Sequence, residues 1–306
     1  MSSAISFVNK HKNSPIFNQT IMNTILVPTD FSKLAGYALN FAIGIAQSSG
    51  ATVRLVHVVD LPIMYDTVLM PALNFEEEAI NDRKAKAMEE FGKLVAKHDK
   101  TGVKFINDIV FGPVTLKILE SIKFFKPDLV VMGSHGTDQL KDKILGSSTE
   151  VIVRESIKPV LILKDLYEGP IKHIVFPVSF EPGALHDVAL EVQKLQATFK
   201  SRVHIVWINT QMDFVPDNVT NKRLNEFASR YSFTNYTTAV YNSVGVEEGI
   251  LEYARYVHGD LIAIGTHGRR GLAHLLKGSL AEDMANQYPG LIWTCSLKPE
   301  TTDVSH

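Results

Sequence analysis

From Asn23 onward, short runs rich in Val, Ile and Leu alternate with longer stretches whose apolar positions recur at helical spacing. Asn23–Pro28, Thr52–Val59, Val103–Val110, Asp128–Met132 and Pro159–Leu163 read as buried strands. Between them lie Ser32–Ser48, the charged amphipathic stretch Phe75–Lys97, Val114–Phe125 and Ser147–Glu155, each patterned as a helix. Strands alternating with helices predict an α/β fold, its sheet parallel and its crossovers right-handed. The rhythm then starts again, with strands expected at Ile171–Val178, Arg202–Asn209, Asn235–Tyr241, Asp260–Ile264 and Gly290–Thr294.

The second series copies the first. ILVPTDF at Ile25–Phe31 returns as IVFPVSF at Ile174–Phe180, 149 residues on, and DLVVMGSHG at Asp128–Gly136 returns as DLIAIGTHG at Asp260–Gly268, 132 residues on. The difference is a deletion of 17 residues in the second copy. A period this long means tandem domains and not a solenoid of short repeats. The boundary falls near Tyr167–Pro170, dividing the chain into a leader (1–21), a first domain (22–167) and a second, partly divergent one (168–299). The leader reads as a loosely ordered extension or an over-called start, with no function assigned.

Composition narrows this picture. At 306 residues the chain has room for two domains of about 150 residues. A formal charge of −2 excludes a whole-chain footprint for nucleic acid, so any anion site must be local. The alternating charges of Glu76–Lys100 suit the solvated face of a long helix. One cysteine, Cys295, excludes an intramolecular disulfide and a Cys-rich zinc site, and fits a reducing compartment. No run approaches the ~20 apolar residues of a membrane span, and the leader lacks the apolar core of a secretory signal. The expectation is a soluble, cytoplasmic protein that binds neither membrane nor nucleic acid.

In open sheets of this kind ligands sit beyond the carboxyl ends of the strands, where strand order reverses. If the chain winds outward through strands two and three and then returns beside strand one, strands one and four flank that crevice, and their ends carry the unusual residues. Strand one ends in Pro28-Thr29-Asp30-Phe31-Ser32; strand four ends in Gly133-Ser134-His135-Gly136, then nine residues, then Gly146-Ser147-Ser148. The second copy has Gly265-Thr266-His267-Gly268, nine residues, and Gly278-Ser279. Glycines permit close backbone approach, and a helix opening at Gly146-Ser147 offers free N–H groups to a phosphate. The same residues also read as capping boxes, Ser147-x-x-Glu150 and Ser279-x-x-Glu282, that only start a helix. Asp30 has two readings as well: a helix cap, the simpler one, with Ser32 as rival, or a carboxylate aimed at a hydroxyl or amine of a ligand. His135 and His267 suit backbone bracing better than acid–base chemistry.

At these residues the sequence resembles the tandem members of the universal stress protein family, over Met22 to about Ser296. Gly133-x2-Gly136-x9-Gly146-Ser147 looks like the nucleotide signature of that family's ATP-binding branch, and PTDFS, HVVD and KPVLIL stand in order around it. The resemblance implies two five-stranded parallel sheets of order 3-2-1-4-5 with helices on both faces, an adenine-nucleotide alpha-hydrolase-like fold. It implies that Asp30 and the backbone of Val58 address adenosine, while Pro28 and Thr29 shape the adenine side. Gly133 and Gly136, with His135 between them, would line ribose and phosphate, and Gly146, Ser147 and Ser148 would hold the phosphates. A weaker second site would use Ile208, Gly265, Gly268, Gly278 and Ser279. That half departs at Ser179, which replaces the aspartate, and at Trp207, which stands where the first copy has His57. Its loop Arg269–Lys277 is basic, with Arg269, Arg270 and Lys277, whereas Thr137–Leu145 balances Lys141 and Lys143 with Asp138 and Asp142.

The implied ligand is ATP, or AMP or ADP, with Mg²⁺ or Mn²⁺ carried by the phosphates. The implied role is a stress-response regulator whose nucleotide state a partner protein reads; the alternative is an interaction module in which nucleotide only stabilises the fold or is absent. Neither a Ser-Gly-Gly loop at the first turn nor a His-x-Gly-His element occurs, leaving room for slow ATP hydrolysis at most. Lys158–Leu163 and Gly290–Cys295 are apolar edges expected to pair with each other, giving an internal pseudo-dimer, with a homodimer also open. Leu61–Asn74 suits a lid, a partner patch or packing on the neighbouring domain.

Overall fold

Each apolar run becomes a strand within two residues of its expected bounds: β1 (Thr24–Pro28), β2 (Thr52–Val59), β3 (Phe105–Phe111), β4 (Leu129–Gly133) and β5 (Val160–Leu163) in the first half. The second half holds β6 (His173–Pro177), β7 (Arg202–Asn209), β8 (Tyr236–Asn242), β9 (Leu261–Gly265) and β10 (Leu291–Cys295). Helices connect them: α1 (Lys33–Ser49), α2 (Leu73–His98), α3 (Val114–Phe125), α4 (Ser147–Glu155), α5 (His186–Phe199), α6 (Asp217–Arg230) and α7 (Val246–Tyr256). This computed structural model describes residues 22–60, 73–134, 146–179, 185–212, 214–265 and 288–295, with backbone alone over 73–78.

Both halves have the order 3-2-1-4-5 with parallel neighbours, but the two sheets are one. The strands run β3-β2-β1-β4-β5-β10-β9-β6-β7-β8 without a break. At the seam β5 and β10 pair antiparallel, with Ile162 opposite Ile292, Leu161 opposite Trp293 and Val160 opposite Thr294. The two five-stranded sheets that the resemblance implies are fused into one by the pairing expected of the bare edges of the fifth strands, in which each edge satisfies the other's backbone groups. Lys164 reinforces the seam by donating to the Tyr288 carbonyl at 2.7 Å.

Successive residues of each strand face opposite sides, and the core divides accordingly. Ile25, Val27, Val53 and Leu55 pack with α1 and α5, while Leu26, Val56, Val130 and Ile162 pack with α3, α4 and α7. Both apolar layers run through the two halves, so helices cover both faces of one shared sheet. The repeated aspartates explain themselves structurally. Asp128 accepts from the N–H groups of Asn23 and Thr24, at 2.7 and 3.0 Å, and Asp260 does the same for Lys172 and His173, at 2.7 and 2.8 Å. Each carboxylate thus ties the start of its half's fourth strand to that of the first.

One polar cluster interrupts the second half. His204, 6% exposed, lies 3.0 Å from the Nδ1 of His173 and 2.8 Å from the Thr237 hydroxyl. Burial, then the charges of His173 and Arg202, push its pKa down to about 4. The unfolded chain takes up this proton first, so stability is lost as pH falls from about 6.5 through 4, by about 3 kcal/mol at most. Urea unfolding at pH 7 and pH 5 should show the fall, and His204→Gln should flatten it. A wild-type midpoint independent of pH over that range would exclude this origin.

Candidate functional site

The crevice of the first half opens where β1 leaves the sheet. Thr29 still donates its N–H to the Val56 carbonyl at 2.9 Å, and then the chain turns. Phe31 occupies the left-handed region at φ 60°, a conformation costing a bulky residue about 1–3 kcal/mol. Three side chains hold that turn. Thr29 Oγ1 accepts from Phe31 N–H at 3.1 Å, Asp30 Oδ1 accepts from Ser32 N–H at 3.0 Å, and the Phe31 ring rests on His57 and Phe91, with centroids 4.6 and 5.2 Å away. Ser32 then caps α1, its hydroxyl accepting from Ala35 N–H at 3.1 Å. Asp30 is therefore not the cap. It closes a local turn and stands exposed at the crevice rim.

Val58 lies beside this turn on β2. Backbone polar groups alternate sides along a strand, and the Val56 carbonyl faces β1, so the N–H and C=O of Val58 face the same way. There β1 has already departed. The Thr29 carbonyl, the next acceptor in a regular ladder, is met instead by His57 Nδ1 at 2.8 Å. One donor and one acceptor of Val58 are thus turned toward the crevice, with no backbone partner among the described residues.

Across the crevice β4 ends at Gly133, and Gly146 N–H returns to the Ser134 carbonyl at 2.6 Å. Gly146 is the N-cap of α4, at φ −64° and ψ 147°, and supplies no side-chain hydrogen bond. The capping-box reading of Ser147 fails for this reason: Ser147 is already the first helical residue, one position too late to cap. Its partner Glu150 turns instead toward Arg154, 3.6 Å away. Thr149 fastens the helix to the strand by donating to the Gly133 carbonyl at 3.2 Å, and Thr115 of α3 donates to the Ser148 hydroxyl at 3.0 Å. The first turn of α4 therefore offers uncapped N–H groups, an exposed Ser147 and a Ser148 hydroxyl oriented from behind.

Pro28, Thr29, Asp30, Val58, Gly133, Gly146, Ser147 and Ser148 thus lie on the strand ends and helix start that border the crevice. His135, Gly136 and the loop Thr137–Leu145 lie outside the described residues, as do Gly268, Gly278, Ser279, Arg269, Arg270 and Lys277 of the second site, the leader, and all of Leu61–Asn74 except its last two residues. Thr115 and His57 carry contacts that the motifs did not name. His57 stands in the sequence as the first residue of HVVD and as the residue contrasted with Trp207, with no contact assigned to it, and Thr115 has no polar-hydroxyl counterpart, since Glu247 follows the first residue of α7 as Thr115 follows that of α3.

The second half keeps the frame and changes the lining. Val178 N–H bonds the Val206 carbonyl at 2.9 Å, as Thr29 does with Val56. Ile208, at the position of Val58, is buried, and α7 presses on it: a Cβ added at Gly249 would come within 2.6 Å of its Cγ2. Gly265 ends β9 close against Val188: a Cβ added there would come within 3.0 Å of its Cγ2. Ser179 follows the strand where Asp30 provides a carboxylate. Among the described residues no group of three His, Cys, Asp or Glu could hold a metal ion, and no helix is long and apolar enough to cross a membrane.

The universal stress protein family model matches this chain twice, over residues 22–164 and 170–290. A universal stress protein of Methanocaldococcus jannaschii is 32% identical over 151 residues, 46% of this chain and 93% of its own length. A second one from that organism is 31% identical over 153 residues, 50% of this chain and 88% of its own. The crystal structure of a universal stress protein from Archaeoglobus fulgidus superposes with a TM-score of 0.71 at 20% identity, covering 90% of this chain and 99% of that one, which establishes the shared fold.

Proposed function

Because the chain belongs to the universal stress protein family, as a tandem pair, we propose that its first half binds an adenine nucleotide, with ATP as the preferred form, and that a partner protein reads the occupied state. The observation that carries this reading is the pair of unmatched backbone elements facing one crevice: the uncapped first turn of α4 and the free side of Val58. The Val58 N–H and C=O match the acceptor and donor on the edge of an adenine ring. Asp30 accepts hydrogen bonds from ribose hydroxyls, and Pro28 and Thr29 close the adenine side. Ser147 and Ser148 give their N–H groups and hydroxyls to phosphate oxygens, while Gly133 and Gly146 keep that wall free of side chains. His135 and Gly136 belong to the same proposed site by the motif they complete.

These residues bind and orient; none of them is a placed base or a nucleophile. A Mg²⁺ or Mn²⁺ ion, where present, would be held by the phosphates, neutralising them. The second half is proposed as a weaker site, through Ile208, Gly265, Gly268, Gly278 and Ser279, because Ser179 lacks the carboxylate and Ile208 is closed in. Nucleotide chromatography of the purified protein, followed by calorimetry with ATP on the stripped chain, tests the reading. One site per chain is expected to dominate, and Gly146→Val to remove it. Absence of both bound nucleotide and binding heat would end the proposal. Loss of the dominant site in Gly278→Val, with Gly146→Val unaffected, would assign it to the other half.

A further inference from the structure

Behind the turn that carries Asp30, α1 and the carboxyl-terminal half of α2 stand apart around a cavity of about 320 Å³. That volume is at the lower end of the range for small-molecule sites. One wall of the gap includes a glycine. Gly36 faces it from α1, and a Cβ added there would meet nothing within 4 Å. A helical glycine costs about 1 kcal/mol relative to alanine, so this notch is not explained by close packing. The floor is apolar, with Leu39 and Leu94, and the rim is cationic, with Lys33 and Lys97 exposed. Lys93 on the same rim is already bridged to Glu89 and Glu90 at 2.9 Å. Lys33 and Lys97 have no carboxylate within ion-pair distance among the described residues, and the Lys33 ammonium lies 5.4 Å from the centre of the Tyr37 ring.

We propose that the α1–α2 groove is a second small-molecule site, separate from the nucleotide crevice, for an amphipathic organic anion: a flat apolar body bearing one carboxylate, sulfonate or phosphate. The apolar body lies over Leu39 and Leu94 in the Gly36 notch, and the anionic group lies between Lys33 and Lys97. Charge selects this occupant over the chain's own leader, which carries Lys10 and Lys12 and no carboxylate side chain. Thr29 and Ser32 border the groove and also belong to the turn that presents Asp30, so an occupant touches the wall shared with the crevice.

Fluorescence titration of the full chain with 8-anilinonaphthalene-1-sulfonate tests the site. One saturable site is expected, weakened at least tenfold by Gly36→Phe, which fills the notch, and at least tenfold by the double variant Lys33→Glu, Lys97→Glu. Saturating ATP should leave the probe bound. The proposal is overturned if wild type shows no saturable site, if either variant with native circular dichroism binds within twofold of wild type, or if ATP displaces the probe one for one. Should Gly36→Phe not fold, the two exposed lysines decide alone. Because the ATP arm is read separately, failure of this site leaves the nucleotide proposal standing, and the reverse also holds.

Discussion

The native chain, with one shared sheet, is expected to unfold in a single cooperative transition, and an Ile162→Asp chain to show two, the earlier one at much lower denaturant. Ile162 is 2% exposed and faces Ile292, 4% exposed, across the only antiparallel pairing among the described strands. The substitution forfeits about 1.5–3 kcal/mol of apolar burial. It also leaves a carboxylate without a partner in an apolar layer, at a further cost of several kcal/mol. A total of that size rivals the ~5–15 kcal/mol that holds a typical domain folded. The same layer joins Val130 and Ile152 of one half to Ile262 and Ile292 of the other, so the damage falls on the junction first. Ile162→Val serves as control and should cost only about 0.5–1.5 kcal/mol. A wild-type midpoint in Ile162→Asp would mean that the halves do not depend on the seam.

The seam was legible because strand composition is local information. Val160–Leu163 and Leu291–Cys295 are buried along their whole length, and a continuously apolar run at a sheet edge needs cover. The strands themselves were legible for the same reason. Strand order was not, since nothing in a run such as Leu26-Val27 states its neighbour; it came through family resemblance. The candidate site divides along the same line. Glycines and hydroxyl residues at strand ends mark the crevice, but their roles depend on single-residue offsets. Asp30 and Ser32 are both good caps, and only the chain's turn at Phe31 decides between them. Ser147 misses the cap position by one residue, so the pattern Ser-x-x-Glu misled. Thr115 with Ser148, and His57 with Thr29, are pairs made by tertiary packing, 33 and 28 residues apart, which no periodicity records.

Asp30→Ala should weaken adenine-nucleotide binding about 10- to 100-fold while leaving the fold nearly intact. The substitution removes the bond from Ser32 N–H at an exposed turn, while the Ser32 hydroxyl continues to cap α1. A hydrogen bond to a charged group contributes about 1.5–3 kcal/mol, and each 1.4 kcal/mol is tenfold in affinity. A competing effect has the opposite sign. The same carboxylate repels the phosphates, so its removal relieves ATP but not adenosine, and the two ligands separate the terms. If Asp30 addresses the ribose, adenosine loses at least as much affinity as ATP, and added salt, which screens the repulsion, brings the two losses together. If Asp30 acts only as a turn residue, Asp30→Ala leaves adenosine affinity within twofold and tightens ATP. Asp30→Asn keeps the turn acceptor without the charge and should fall between wild type and alanine. Calorimetry with both ligands at two salt concentrations distinguishes these results, and unchanged adenosine affinity in Asp30→Ala would remove this residue from the site.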